Sequence, residues 1–230
     1  MQNRSRCGFV EAASRQKEGK DEMIISASRR TDIPACYGQW MMARLRAGEV
    51  LVPNPYNASR ISRVALSPGN VDCIVFWTKN AAPMLPLLDE LDALGYKYYF
   101  EYTVTGYGSA LEPDLPEKER TVDTFLRLSE RLGPEGVDWR FDPVLLTPSI
   151  TPAWQLERFG ALCRALHGAT RRCVFSFADP YPGIRPSIAP LEETQMRLLA
   201  KGFADIAGEY GLPLYTCAEA VELSEYGIRH

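Results

Sequence analysis

Strand-like and helix-like segments alternate along this chain of 230 residues, and the alternation constrains its fold more than any other feature. Short segments rich in β-branched and aromatic residues predict strands at 23–28, 72–78, 97–105, 137–142, 172–177 and 213–217. Between them, apolar residues recur at helical spacing in 34–47, 83–94, 117–132, 152–167 and 190–210. Strands joined by crossover helices pair in parallel, so we predict an α/β fold with a parallel sheet.

The absence of phosphate-binding glycine motifs narrows the α/β class. No G-x-G-x-x-G follows the first strand, and the chain has no G-x-x-x-x-G-K-[ST]. We therefore predict a complete or partial (β/α) TIM-type barrel, as a single domain over residues 23–230. The stretch 49–66 leaves two alternatives open: a hairpin-like insertion, or a second barrel strand with a long loop.

The N-terminal residues 1–22 are polar and charged, and they lack the apolar segment of a signal peptide. We expect a flexible extension there and a cytoplasmic protein. No apolar run approaches the roughly 20 residues of a membrane-spanning helix, and the net charge of −3 shows no basic excess. Several of the six cysteines, such as Cys73 and Cys173, lie in apolar segments, which predicts buried free thiols. The chain has no C-x-x-C pair, so no metal site built from these cysteines alone is expected.

Polar side chains follow the predicted strands at their carboxyl ends, where βα loops build the active site of a barrel. We predict substrate or cofactor binding by a set of eleven such residues: Ser28, Arg29, Arg30, Asp32, Thr78, Asn80, Thr103, Thr105, Arg140, Ser176 and Asp179. Four further residues can move protons or anchor charge and are the catalytic candidates: Asp142, Glu219, Lys79 and Glu101. The arginines and Lys79 suit a small anionic substrate.

Strand alternation predicts which of these side chains share a face. Arg140 and Asp142 lie on one face of their strand, while Trp139 and Phe141 lie on the other and pack under helices. Glu101, Thr103 and Thr105 form a similar polar stripe. Because strands of a parallel sheet are usually apolar on both faces, such stripes are costly unless they are paired, hydrated or functional.

Structural roles explain several of these residues equally well. Asp32 can cap the following helix, Arg140 and Asp142 can form an ion pair that braces the sheet, and Asp179 can start a turn. Glu219 can cap a final helix, and Lys79-Asn80 can be an exposed turn. His167 is the only interior histidine, so neither a Ser-His-Asp triad nor a two-histidine metal site is expected.

Long ordered segments from about Met23 onward, including "IISASRRTDIP", "VDCIVFWTKN", "DWRFDPVLLT" and "CVFSFADPY", resemble the DUF1848 family. The resemblance implies kinship with radical SAM proteins of the DNA repair photolyase group. It also implies a [4Fe–4S] cluster and S-adenosylmethionine, with the cluster ligands in a cysteine-rich tail beyond His230. No residue of this chain supports either cofactor, and we expect a C-terminally truncated form. A nucleic-acid partner follows from the family analogy alone.

Three functions remain open from the sequence. The first is a radical SAM-like barrel enzyme whose cluster lies outside these residues. The second is a metal-independent hydrolase or lyase that uses the carboxylates, with Arg and Lys side chains that anchor an anionic substrate. The third is a non-catalytic ligand-binding barrel. The sequence does not determine the oligomeric state.

Overall fold

The computed structural model describes residues 10–17, 20–28, 31–54, 56–178, 190–217 and 219–230. They belong to two compact units, Met1–Tyr102 and Thr103–His230. Residues 10–17 and 20–22, which fall in the predicted extension, lie in strands. No helix in the described part of the chain has the length and apolarity of a membrane span.

The first unit contains a sheet and a separate hairpin. Its strands are β1 (Val10–Lys17), β2 (Lys20–Ala27), β3 (Glu49–Asn54), β4 (Asn57–Ala65), β5 (Cys73–Thr78) and β6 (Tyr98–Thr103), the last of which crosses the unit boundary at its final residue. Strands β2, β5 and β6 are parallel neighbours, and β1 is antiparallel to β2. Strands β3 and β4 pair antiparallel with each other, so the hairpin alternative for 49–66 is correct.

The helices of the first unit are α1 (Ile33–Cys36), α2 (Gly38–Ala47) and α3 (Leu88–Ala93), with a 3-10 segment at Ala82–Leu87. Helix α2 ends at Gly48, whose φ of 71° lies in the left-handed region that favours glycine. The sheet buries Phe76 against Phe100, whose ring centroids lie 5.1 Å apart.

The second unit repeats the β/α pattern. Its strands β7 (Val137–Val144), β8 (Cys173–Phe177) and β9 (Leu214–Thr216) are parallel neighbours. Its helices are α4 (Lys118–Leu132), α5 (Pro152–Leu166) and α6 (Glu193–Glu209). Thr151 caps α5 by accepting from Trp154 N at 3.2 Å, and Pro152 suits the first helical turn.

An aromatic cluster forms the core between β7 and its covering helices. Trp139 stacks on Phe159 of α5 at 5.2 Å, and Phe141 meets Phe159 and Phe203 of α6 edge-on at 5.1 and 5.6 Å. These side chains are at most 1% exposed, and each contributes on the order of 2 kcal/mol by leaving water. The prediction that Trp139 and Phe141 pack under helices is confirmed.

The parallel α/β class is confirmed, because each predicted strand coincides with an observed one within a few residues. All five predicted helical segments are present too, two of them divided into shorter pieces. Within each unit, the described parallel strands form an open sheet flanked by helices, as in a partial (β/α) arrangement.

Candidate functional site

The exit of β7 carries a buried ion pair. Arg140 Nε and Nη2 donate to Asp142 Oδ2 at 3.0 and 2.5 Å, and the two side chains are 7% and 17% exposed. Asp142 Oδ1 lies 3.4 Å from the hydroxyl of Thr103, at the end of β6. The pair lies on the face of β7 opposite Trp139 and Phe141, as alternation predicts. One carboxylate oxygen is therefore held by a guanidinium, while the other has only a long contact among the described residues.

A second carboxylate joins the ends of the next two strands. Glu219, which follows β9, accepts from Phe177 N at 2.8 Å, at the last residue of β8. Ser176 precedes Phe177 on β8 and is partly exposed, while Phe175 and Phe177 are buried. Glu219 is thus a backbone acceptor in this unit. The third predicted residue of these strands, Asp179, lies outside the described residues.

The loop after β6 contains a polar network that the sequence did not single out. Tyr107 Oη donates to Pro143 O at 2.7 Å and accepts from Leu145 N at 3.2 Å and Gln155 Nε2 at 2.9 Å. The pKa of the Tyr107 phenol is raised to about 12, and burial is the largest cause of this shift. Tyr107 therefore fixes the segment that directly follows Asp142. The sequence signal was its position between two glycines, Gly106 and Gly108.

Replacing Tyr107 by Phe tests this network. The variant leaves the buried Leu145 N–H without its acceptor, so we expect a loss of about 2 kcal/mol in the free energy of unfolding. The measurement is urea unfolding followed by circular dichroism. Tyr56, which is 74% exposed, provides the matched control Tyr56→Phe, with no expected change. Equal stability of the two variants would contradict the assignment.

Thr105 joins a smaller charged cluster in the same loop. Its hydroxyl donates to Glu112 Oε2 at 2.9 Å, and Lys118 Nζ at the start of α4 approaches the same oxygen at 3.2 Å. The Glu112 side chain is only 9% exposed. Thr105, predicted as a binding residue, thus serves to hold a carboxylate that sequence reasoning missed.

In the first unit, Asp32 organises the exits of β2 and β5. Its Oδ1 accepts from Ala35 N at 2.9 Å, which makes Asp32 the N-cap of α1. Thr78 Oγ1 donates to both carboxylate oxygens, and Lys79 N donates to Oδ2 at 2.7 Å. Burial is the largest influence and raises the pKa of Asp32, although these hydrogen bonds oppose it. Asp32 therefore caps α1 and holds the exits of β2 and β5 together, and its predicted role in binding stays a prediction.

Ser28 lies in an unusual backbone conformation at the end of β2. Its φ of 96° is costly for a residue with a Cβ, and its hydroxyl accepts from Ile33 N at 3.0 Å. Asn80 lies in the loop after β5, where its N–H donates to Thr78 Oγ1 at 2.9 Å. Arg29 and Arg30, between Ser28 and Asp32 in sequence, lie outside the described residues.

Glu101 lies on β6 in register with Trp77 of β5 and is 5% exposed. Its neighbours Phe100 and Tyr102 are fully buried on the opposite face, which agrees with the predicted alternation. Lys79, another catalytic candidate, is partly exposed in the loop after β5. Glu101 and Lys79 belong to the first unit, whereas Asp142 and Glu219 belong to the second.

The described cysteines do not fit an iron–sulfur cluster. Burial raises the pKa of Cys163 to about 12 and that of Cys173 well above its usual value, which disfavours the thiolate form of both side chains. Cys36 and Cys217 are exposed in different units. No group of three or more metal-ligating side chains occurs in the described part of the chain.

Comparison with known proteins gives a family and distant structural similarity. A family model described as "Domain of unknown function (DUF1848)" matches residues 24–230. No curated protein matches the chain. Among solved structures, a crystal structure of a candidate alpha-L-fucosidase from Bacteroides thetaiotaomicron VPI-5482 is similar over 81% of this chain and 71% of that chain. Its sequence identity of 10% and TM-score of 0.35 give no indication of function.

Proposed function

The chain belongs to the DUF1848 family, and we propose that it is an enzyme that performs proton-transfer chemistry on a small polar or anionic substrate. The proposed site lies at the carboxyl ends of the strands in the second unit, with Asp142 as the proton acceptor or donor. The observation that supports it is the asymmetric environment of Asp142. Arg140 holds Oδ2 from two nitrogens, while Oδ1 faces the Thr103 hydroxyl at 3.4 Å.

This arrangement suits acid–base catalysis for a physical reason. The guanidinium fixes the orientation of the carboxylate, which leaves Oδ1 placed to exchange a proton with a substrate within hydrogen-bonding reach. Thr103 can donate to or accept from the same substrate group. Glu219 supports the site by joining the ends of β8 and β9, and its role is positioning. An anionic substrate is the class that the arginine and lysine side chains of the predicted strand exits favour.

The experiment is a turnover screen of the purified 230-residue chain against phosphate esters, hydroxy acids and lactones, followed by mass spectrometry. We expect at least one compound to be consumed, and Asp142→Asn to lower the rate by about 10²- to 10⁴-fold, the usual contribution of a general acid or base. Asp123→Asn, at an exposed surface pair, is the control and keeps the wild-type rate. The proposal is rejected if none of the compounds is consumed, or if Asp142→Asn and the wild type have equal rates.

The family resemblance supports a second proposal, a radical SAM reaction in which the cluster ligands lie outside residues 1–230. The described cysteines would not hold that cluster, so no chemical step is assigned to it. Anaerobic reconstitution with iron and sulfide separates the two proposals. Acid–base turnover by the iron-free chain supports the first, and turnover that requires both S-adenosylmethionine and a chain carrying additional cysteines supports the second.

A further inference from the structure

The second unit contains a cavity of about 300 Å³ beside the Tyr107 network. The loop after β6 forms one wall, the first turn of α4 a second and the middle of α5 a third. This volume lies at the lower end of the roughly 300–1,000 Å³ of small-molecule sites. Nothing in the acid–base mechanism uses this cavity.

The walls of the cavity are closely packed and hydrogen-bonded. The ring of Tyr107 stacks parallel to Trp154 of α5, with centroids 5.8 Å apart and planes at 6°, and its hydroxyl makes three hydrogen bonds. Gly106 lies so close to α5 that an added Cβ would be 2.6 Å from Arg158 Cβ. A cavity preformed in this way binds its ligand without a large ordering cost.

The charges around the cavity are of both signs. Lys118 pairs with the nearly buried Glu112, so these two largely neutralise each other. Arg158 adds a guanidinium held 5.6 Å above the ring of Trp154, and its ion pair with Glu157 is long, at 3.8 Å. Glu117, the N-cap residue of α4, is exposed and makes no side-chain capping hydrogen bond. Arg158, Glu117 and Glu119 therefore line the space with charge of both signs, next to Leu115 and Leu162.

We propose that this cavity binds a small zwitterion with a short apolar side chain, of the chemical class of the apolar α-amino acids. The ligand carboxylate pairs with Arg158, its ammonium pairs with Glu117, and its side chain contacts Leu115 and Leu162. Guanidinium recognises a carboxylate through paired donors. The two opposite charges of the ligand match those of the walls, whereas a simple anion or cation would match only one of them.

Tyr107 links this cavity to the proposed catalytic strand. Tyr107 forms part of the wall, and its hydroxyl donates a hydrogen bond to Pro143 O, one residue after Asp142. A ligand in the cavity would therefore contact the same side chain that positions the exit of β7. The binding proposal is nevertheless independent of any reaction, because it is tested by affinity.

Isothermal titration calorimetry of the full 230-residue chain with L-leucine tests the proposal, beside L-leucinamide and N-acetyl-L-leucine, which each lack one charge. We expect saturable binding of L-leucine and an affinity at least tenfold lower for both derivatives. Arg158→Gln should weaken L-leucine binding at least tenfold, and Glu117→Gln at least fivefold. The exposed surface variants Arg127→Gln and Glu130→Gln should leave the affinity unchanged.

A steric pair of variants provides a second readout. A Cβ added at Gly108 meets no atom within 4 Å, and Gly108 lines the cavity, so Gly108→Leu should fill the space and abolish binding. Gly69 has equally open surroundings in the other unit, and Gly69→Leu is its control, with wild-type affinity. The proposal is overturned by no heat of binding, by equal affinity for the three compounds, or by wild-type affinity in Gly108→Leu.

Discussion

Arg140→Met should lower the free energy of unfolding by about 3 kcal/mol or more, because it leaves the Asp142 carboxylate nearly buried without its cation. The Arg140 side chain is 7% exposed and Asp142 is 17% exposed, so water compensates the lost pairing only in part. Urea unfolding at neutral pH measures the change. Arg127→Met, which removes an exposed arginine 3.9 Å from Asp123, should have no measurable effect.

The double variant Arg140→Met/Asp142→Asn separates stability from function. Replacing both charges removes the buried unpaired carboxylate, so the double variant should regain much of the lost stability. If the pair only braces the sheet, the double variant also retains any activity of the wild type. We expect it to be folded and inactive. A double variant less stable than Arg140→Met would show that the two side chains do not form the pair described.

Asp32→Ala should have the second largest effect and lower the free energy of unfolding by about 3 kcal/mol. The variant loses the cap of α1 and leaves the donors Lys79 N and Thr78 Oγ1 without their acceptor. These donors are arranged around the carboxylate at 2.7 to 2.9 Å. Asp123→Ala, in the exposed pair with Arg127, is the matched control and should unfold like the wild type. An Asp32→Ala variant as stable as this control would show that the clamp contributes little.

The pH dependence of the same residue has a defined sign. Since burial raises the pKa of Asp32 in the folded state above 3.8, folding favours the protonated form, and the stability that this preference provides is lost as pH rises through the folded pKa. The free energy of unfolding of the wild type minus that of the non-ionising variant Asp32→Asn should therefore be larger at pH 4 than at pH 7.5. Paired urea titrations at these pH values measure it, and the opposite trend would contradict the raised pKa.

Most of the fold could be predicted because its signals are local. The period of apolar residues separated strands from helices, and helix signals such as Thr151-Pro152 and Gly133 placed helix ends within a residue or two. The hairpin of β3 and β4 remained ambiguous, since its pairing depends on long-range register rather than local pattern. The strands at 10–17 and 20–22 were not predicted, because their polar composition resembles that of an extension.

The candidate site was predictable only in its residue types and strand positions. Alternation correctly placed Arg140 and Asp142 together, since two residues on one strand share a face whatever surrounds them. It could not show that the Asp32 carboxylate accepts hydrogen bonds from Thr78 and Lys79, which lie more than forty residues away in sequence. Nor could it identify Tyr107 and Glu112, whose partners come from the end of β7, from loops and from two helices.

The sequence by itself determined the α/β class, the strand and helix segments and the polar strand exits, because period and composition act over neighbouring residues. The tertiary structure alone decided which hydrogen-bond partners these polar groups have. The Asp32 carboxylate accepts hydrogen bonds from the exit of β5, and Asp142 Oδ1 has only a long contact among the described residues. These partners come from chain segments distant in sequence, so local patterns cannot reveal them. The cavity beside Tyr107 likewise exists only where a loop and two helices pack together.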